Sequence, residues 1–207
     1  MRQHETMPAV RSAAPVTGSR DDWLAARIDL LAKEKELNRR RDELSAERRR
    51  LPWVRLEKPY VFDGPDGRVP MSELFDGRTQ LIVFHFMLGP GWGEGCPLCS
   101  FWADSFNAMP VHLAHRDTAF AAVSRAPFGE IDAYRRRMGW SFRWYSSAPG
   151  TFNYDFGVSA TPEQRATGGE YNFRRVNEPA EESPGLSVFD QRRRQDLPHL
   201  LDLQPRA

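Results

Sequence analysis

The apolar run "LIVFHFML" at residues 81–88 constrains the folding of this chain more than any other segment. It lies between Asp76-Gly77 and Gly89-Pro90-Gly91, two groups of turn residues. Such a run is far too short for a bilayer, which takes about 20 apolar residues in a helix. It reads as a strand buried on both faces, and a strand of that kind needs helices to cover it. The residues that follow supply them. Trp102, Phe106, Met109 and Leu113 fall at i, i+4, i+7 and i+11, one face of a helix, with Pro110 expected to kink it. "TAFAAVS" at 118–124 is a second strand, and Ile131, Tyr134 and Met138 stripe a second helix between Pro127 and Gly139. Strand, helix, strand, helix implies a parallel sheet with right-handed crossovers. Further on, "WYSSA" reads as a short strand, "FNYDFGVS" as aromatic but turn-rich, and 160–185 as mostly polar turns. "GLSVF" at 185–189, entered by Pro184, is a last strand.

Upstream, residues 1–21 read as a flexible leader, and no apolar stretch in residues 1–22 looks like a secretory signal. A long helix is expected from Asp22 to Arg50, capped by Asp21 or Asp22 and closed by Pro52. Trp23, Leu30, Leu37, Leu44 and Leu51 recur every seven residues, a narrow seam beside the charged "KEKELNRRRDELSAERRR". A solvated helix ranks above a homodimer coil through this segment. In 59–79, Asp63-Gly64-Pro65-Asp66-Gly67 suggests a small hairpin, and Ser72 a cap for one helical turn. With 207 residues and a formal net charge of +1, the chain has enough material for one good core and no charge bias toward nucleic acid or an acidic membrane.

Both cysteines, Cys96 and Cys99, follow the glycine loop in "GEGCPLCSFW". Two cysteines in 207 residues do not make a disulfide scaffold, so a reduced, cytoplasmic location is expected. There a C-x-x-C is more often catalytic or metal-binding than a staple. Chemistry in a parallel α/β sheet gathers beyond the carboxyl ends of the strands. Cys96 stands where a helix begins, and the partial positive charge of that end favours a thiolate. A second thiol one turn later can attack a mixed disulfide formed at the first. The rival is metal: Cys96, Cys99, His112 and His115 give C-x2-C-x12-H-x2-H, near a zinc-finger spacing. A continuous helix would put those histidines about 20 Å away at 1.5 Å per residue, so no metal ligand is assigned. Two buried thiols without chemistry are the third reading.

The neighbours carry paired readings. Glu94 raises the Cys96 pKa if close, or points to water. Arg125, after the second strand, reaches the same rim and favours a thiolate, or is a surface arginine. Trp92 shields the thiols or packs the loop. His85 reads as a hydrogen-bonded core histidine ahead of a proton shuttle.

The chain resembles an uncharacterised bacterial thioredoxin-like family, a domain of unknown function with a G-C-P-x-C-S-F-W signature. The resemblance is carried by "WLAAR", "LLAKEKELNRRRDELSAERRRLPWV", "YVFDGPDGRV" and "ELFDGRTQLIVFHFMLGPGWGEGCPLCSFWAD", then by "VSRAP", "RRMGWSFRWYSS", "FNYDFGVS" and "GLSVF". It covers about residues 22–189. It implies an α/β, thioredoxin-like central sheet flanked by helices, an opening hairpin like those of peroxiredoxin-type relatives, and a long N-terminal helical extension. Cys96 and Cys99 match the redox-pair positions. Pro184 matches the cis-proline that faces the dithiol in thioredoxin-type folds, with an ordinary trans proline as the alternative. The expected organisation is a leader at 1–21, a helix at 22–51, a thioredoxin-like domain at 52–190 and an atypical tail at 191–207. Where the family continues after "SVF" with another strand and a helix, this chain has "DQRRRQDLPHLLDLQPRA", which implies an unpaired sheet edge and an uncovered apolar face.

The leading expectation is a thiol–disulfide oxidoreductase without a cofactor, with Cys96 attacking and Cys99 resolving. Its partner is a protein thiol or disulfide, or a small thiol. Peroxide reduction ranks lower, because "EGC" replaces a "P-x-x-x-T-x-x-C" lead-in. The alternatives are a non-catalytic interaction module and a metal-binding protein using the same cysteines.

Overall fold

The computed structural model describes residues 17–191 and, as backbone, the strand at 199–202; the expectations for most of the leader and tail lie outside these residues. The chain divides into two units, residues 1–51 and 52–207. In the first, Ser19 accepts from the Asp22 N–H while Asp22 accepts from the Ser19 N–H, a capping box that opens α1 (Arg20–Arg49). The cap is therefore Ser19, not Asp21 or Asp22, because Asp22 serves as the third residue of the box. No residue of α1 is buried, and Glu36 pairs with Arg39 and Arg40 one turn on.

The second unit opens with β1 (Val54–Arg55), the hairpin β2 (Val61–Gly64) and β3 (Gly67–Pro70), and one turn of helix, α2 (Met71–Leu74). Ser72 lies inside that turn, which starts after Pro70 without a side-chain cap. Then come β4 (Gln80–His85), α3 (Pro97–Phe106), α4 (Met109–Ala114), β5 (Thr118–Ser124), α5 (Phe128–Met138) and β6 (Arg143–Ser146). The expected single helix through Trp102 and Leu113 is two. Asn107 lies between them, and its side-chain oxygen accepts from the Ser141 N–H at 2.7 Å and from Ser141 Oγ at 3.1 Å. Pro110 sits in the first turn of α4, where its missing N–H costs nothing. The chain ends through α6 (Phe152–Asp155), α7 (Pro162–Thr167), the hairpin β7 (Gly169–Tyr171) and β8 (Arg174–Val176), then β9 (Gly185–Asp190) and β10 (His199–Asp202).

Eight strands form one sheet in the order β1-β10-β9-β4-β5-β6-β2-β3. β4, β5 and β6 are parallel, while β9 runs antiparallel to β4 and β10 antiparallel to β9. The order β10-β9-β4-β5, with those directions, is a thioredoxin-like sheet. The expected bare edge is corrected here: β10 pairs with β9 over four positions, and β1 pairs with β10.

Alternation along β4 divides the core. Leu81 and Val83 point into a cluster with Phe62, Phe152, Phe156 and Phe189. Phe84 joins Phe86, Cys99, Tyr134, Trp140 and Trp144 on the other side. All seven residues of β5 are buried, as expected for a strand covered on both faces. Among the described residues no helix is long and apolar enough to cross a membrane.

Candidate functional site

After β4 the chain turns through Gly91 and Gly93, both in the left-handed region at φ +75° and +68°. It comes back so that the Cys96 N–H donates to the Met87 carbonyl at 3.1 Å. Gly95 is required on this return path. A Cβ there would lie 2.5 Å from the Phe86 ring and 3.0 Å from Tyr134. Cys96 thus arrives as the N-cap residue of α3, with Pro97 in the first turn, where the missing proline N–H is harmless.

Two bonds fix the Cys96 carbonyl: the Ser100 N–H donates to it at 2.9 Å and the Ser100 hydroxyl at 3.0 Å. Ser100 Oγ also meets the Tyr134 hydroxyl at 2.9 Å, and the Arg137 guanidinium lies 4.7 Å above the Tyr134 ring. The first turn of α3 is therefore tied to α5, and the position of Cys96 with it.

The two sulfurs have different surroundings. Cys96 is partly open to solvent, whereas Cys99 is buried. Burial pushes the Cys99 thiol up to about 12; a hydrogen bond from the Met87 backbone opposes the shift, and the charge and hydrogen bond of Cys96 add to it. The side chains are within hydrogen-bonding reach of each other, and both are free thiols. At neutral pH Cys99 holds its proton in an apolar setting, while Cys96 meets whatever arrives from solution.

The residues expected around the thiols part company. Glu94 is turned outward to Arg137, at 3.1 Å, with 74% of its side chain exposed. Trp92 packs its indole over Gly89. Arg125 does reach the rim of the sheet, but its guanidinium is committed elsewhere: to Glu182 at 2.5 Å, to Glu181 at 3.0 Å and to the Tyr154 hydroxyl. Glu182 is 1% exposed and also accepts from Ser159 at 2.6 Å. Pro184 leads into β9 next to this network, and its peptide bond is trans, as are all those of the described residues.

His85 lies on the opposite face of the sheet. Its ring is stacked at 5.5 Å on Phe152 and 5.8 Å on Phe156, with Nε2 2.8 Å from Ser187 Oγ. Burial holds it down to about 3, so it stays neutral in the core. His112 lies within α4 and His115 at its C-cap. Among the described residues no group of three or more His, Cys, Asp or Glu side chains is placed to hold a metal ion.

One residue escaped the sequence reading. Tyr171, in β7, donates its hydroxyl to the Pro184 carbonyl at 2.8 Å, and its phenol is pushed up by burial and by the neighbouring Cys99. The β7–β8 hairpin therefore reaches the thiol rim. The only sequence signal for it is a tyrosine and a phenylalanine around Asn172 in an otherwise polar stretch. At the tip Asn172 and Phe173 have φ of +50° and +60°, a left-handed conformation that costs a non-glycine residue about 1–2 kcal/mol.

A family model described as "Bacterial protein of unknown function (DUF899)" matches residues 12–207. No curated protein matches the chain. Among solved structures, the chain is similar to peroxidoxin BcpB from Mycobacterium tuberculosis at 14% identity and a TM-score of 0.44, covering 67% of this chain and 76% of that one. It is similar to a cysteine-to-serine mutant of PrxQ from Xylella fastidiosa at 14% identity and a TM-score of 0.43, covering 75% and 85%. Hypothetical protein SMc02350 from Sinorhizobium meliloti 1021 gives 13% identity and a TM-score of 0.45, covering 72% and 68%.

Proposed function

We propose that the chain, which belongs to the bacterial family of unknown function DUF899, is a thiol–disulfide oxidoreductase that uses Cys96 and Cys99 as its dithiol. The observation that carries this reading is the asymmetry of the pair. A partly open sulfur stands at the N-terminus of α3, and a buried one lies within its reach one turn on.

The reaction runs in two exchanges. The Cys96 thiolate attacks one sulfur of a partner disulfide; a Cys96–partner S–S bond forms, the partner's S–S bond breaks, and the departing sulfur leaves as a thiolate that takes a proton from water. The buried neighbour then acts. The Cys99 thiol loses its proton to solvent and its sulfur attacks Cys96 Sγ. The Cys96–Cys99 disulfide forms as the mixed disulfide breaks, and the second partner sulfur leaves as a thiolate that takes a proton from water. Two electrons pass from the dithiol to the partner. Burial of Cys99 suits the second step, since a proton-bearing sulfur does not compete for the incoming disulfide but is close enough to resolve it. A reducing compartment keeps both thiols free, and the cytoplasm is the location this reading favours.

Trapping tests the assignment. Cys99→Ser, exposed to excess hydroxyethyl disulfide, is expected to accumulate a mixed disulfide on Cys96 that peptide mapping locates. Cys96→Ser is expected to react far more slowly. If Cys96→Ser traps the reagent faster, or neither variant traps it, the assignment is wrong.

A further inference from the structure

We propose that the β7–β8 hairpin is a docking arm beside the dithiol, and that it receives a polypeptide presenting an apolar patch next to a carboxylate. The substrate disulfide is then carried by a protein and not by a small thiol. The inference rests on the dithiol-exchange reading above and adds to it the class of partner.

Phe173 is the first observation. It is 83% exposed at the tip of the hairpin. With Asn172 it forms a tight turn in which both residues have positive φ, the conformation that favours Asn-Gly. Its ring makes no aromatic contact among the described residues, so the exposed phenylalanine stacks on no other ring there. A backbone outlier that holds an exposed ring points to a role outside the fold.

Charge is the second. Arg174 is opposite Tyr171 in the β7–β8 ladder and has no ion-pair partner among the described residues, whereas Arg175 is opposite Glu170. The tip thus carries an exposed aromatic ring and an uncompensated guanidinium on consecutive residues, which suits an apolar side chain flanked by Asp or Glu.

Placement is the third. Tyr171 is bonded to the Pro184 carbonyl, and the adjoining Gly185 pairs with His85, two residues before the Met87 backbone that holds both cysteines. The Arg125–Glu181–Glu182 network fixes the segment just before Pro184. Phe173 is two residues beyond Tyr171, in the two-residue turn that closes the hairpin between Tyr171 and Arg174. A protein partner's footprint of about 800 Å² therefore takes in both Cys96 and the arm, which a small disulfide would not touch.

The test compares three probes against the reduced full-length protein by stopped-flow measurement of mixed-disulfide formation. They are hydroxyethyl disulfide, a synthetic disulfide-bridged peptide flanked by Leu and Glu, and the same peptide with Lys in place of Glu. The Leu/Glu peptide is expected to react fastest. Phe173→Gly, which relieves the positive φ, is expected to melt no lower than wild type and to slow the Leu/Glu peptide about tenfold, as loss of an aromatic anchor does. It leaves hydroxyethyl disulfide at the wild-type rate. Arg174→Glu is expected to reverse the preference between the Glu and Lys peptides. Equal slowing of all three probes, or no slowing of the peptide, overturns the arm. If hydroxyethyl disulfide reacts normally and the peptides show no advantage, the arm alone is refuted. If no probe reacts with wild type, dithiol exchange itself is refuted, and the arm with it.

Discussion

Two ionisable side chains are buried on opposite faces of the same sheet, and both are held neutral. His85, stacked on Phe152 and Phe156, is kept near 3; Cys99, packed with Phe84, Phe86 and Ala103, is kept near 12. They differ in what lies next to them. Cys99 has Cys96 within hydrogen-bond reach, and Cys96 opens to solvent. His85 bonds Ser187 through Nε2, and its Nδ1 has no hydrogen-bond partner among the described residues. On the dithiol-exchange proposal, burial of the thiol delays a reaction until a partner has reached its neighbour. Burial of the imidazole leads to no reaction and only makes the fold sensitive to acid.

The largest expected effect is on the histidine face. The unfolded chain takes up a proton near 6.5 and the native one not until about 3. The stability due to a neutral His85 is therefore present above 6.5 and lost as pH falls toward 3. At pH 4 the loss is about 3 kcal/mol. Circular-dichroism titration of His85→Leu is expected to show an acid midpoint moved to lower pH; an unchanged midpoint breaks the comparison. Next is Gly95→Ala on the thiol face. The new Cβ meets Phe86 at 2.5 Å, and overpacking of this kind costs about 1–3 kcal/mol by denaturant melting. The smallest effect is alkaline. Unfolded Cys99 ionises near 9 and the native thiol resists to about 12, so its contribution is complete below 9 and lost as pH rises toward 12. Cys99→Ala should flatten the stability curve by about 1.4 kcal/mol at pH 10 relative to pH 7. A curve as steep as wild type would mean that Cys99 is not buried as described.

Much of this was legible in the sequence. The run at 81–88 could be covered on both faces in few ways, and the cysteines followed it at the end where chemistry collects. What was not legible depends on distant pairing or broken periodicity. Nothing near Arg125 in the chain announces Glu182, 57 residues away. The stripe through Trp102 and Leu113 keeps helical spacing across a break that Asn107 makes by bonding Ser141. "EYNFRRV" lacks the alternation of a strand and turns on Asn-Phe instead of Asn-Gly, so the hairpin carrying Tyr171 read as loop. The tail "HLLD" looked like the remnant of an ending, yet its backbone completes the sheet beside β9.

The claim most in need of trial is that Cys96 and Cys99 exchange two electrons as a pair. Equilibration of the full chain against a graded glutathione buffer, followed by alkylation and intact mass spectrometry, measures this directly. The account predicts one cooperative two-electron transition in which both cysteines lose alkylation together and the chain loses two hydrogens, abolished by Cys96→Ser and by Cys99→Ser. Two thiols that remain alkylatable at the most oxidising ratio, or that are lost independently as glutathione adducts, would contradict it.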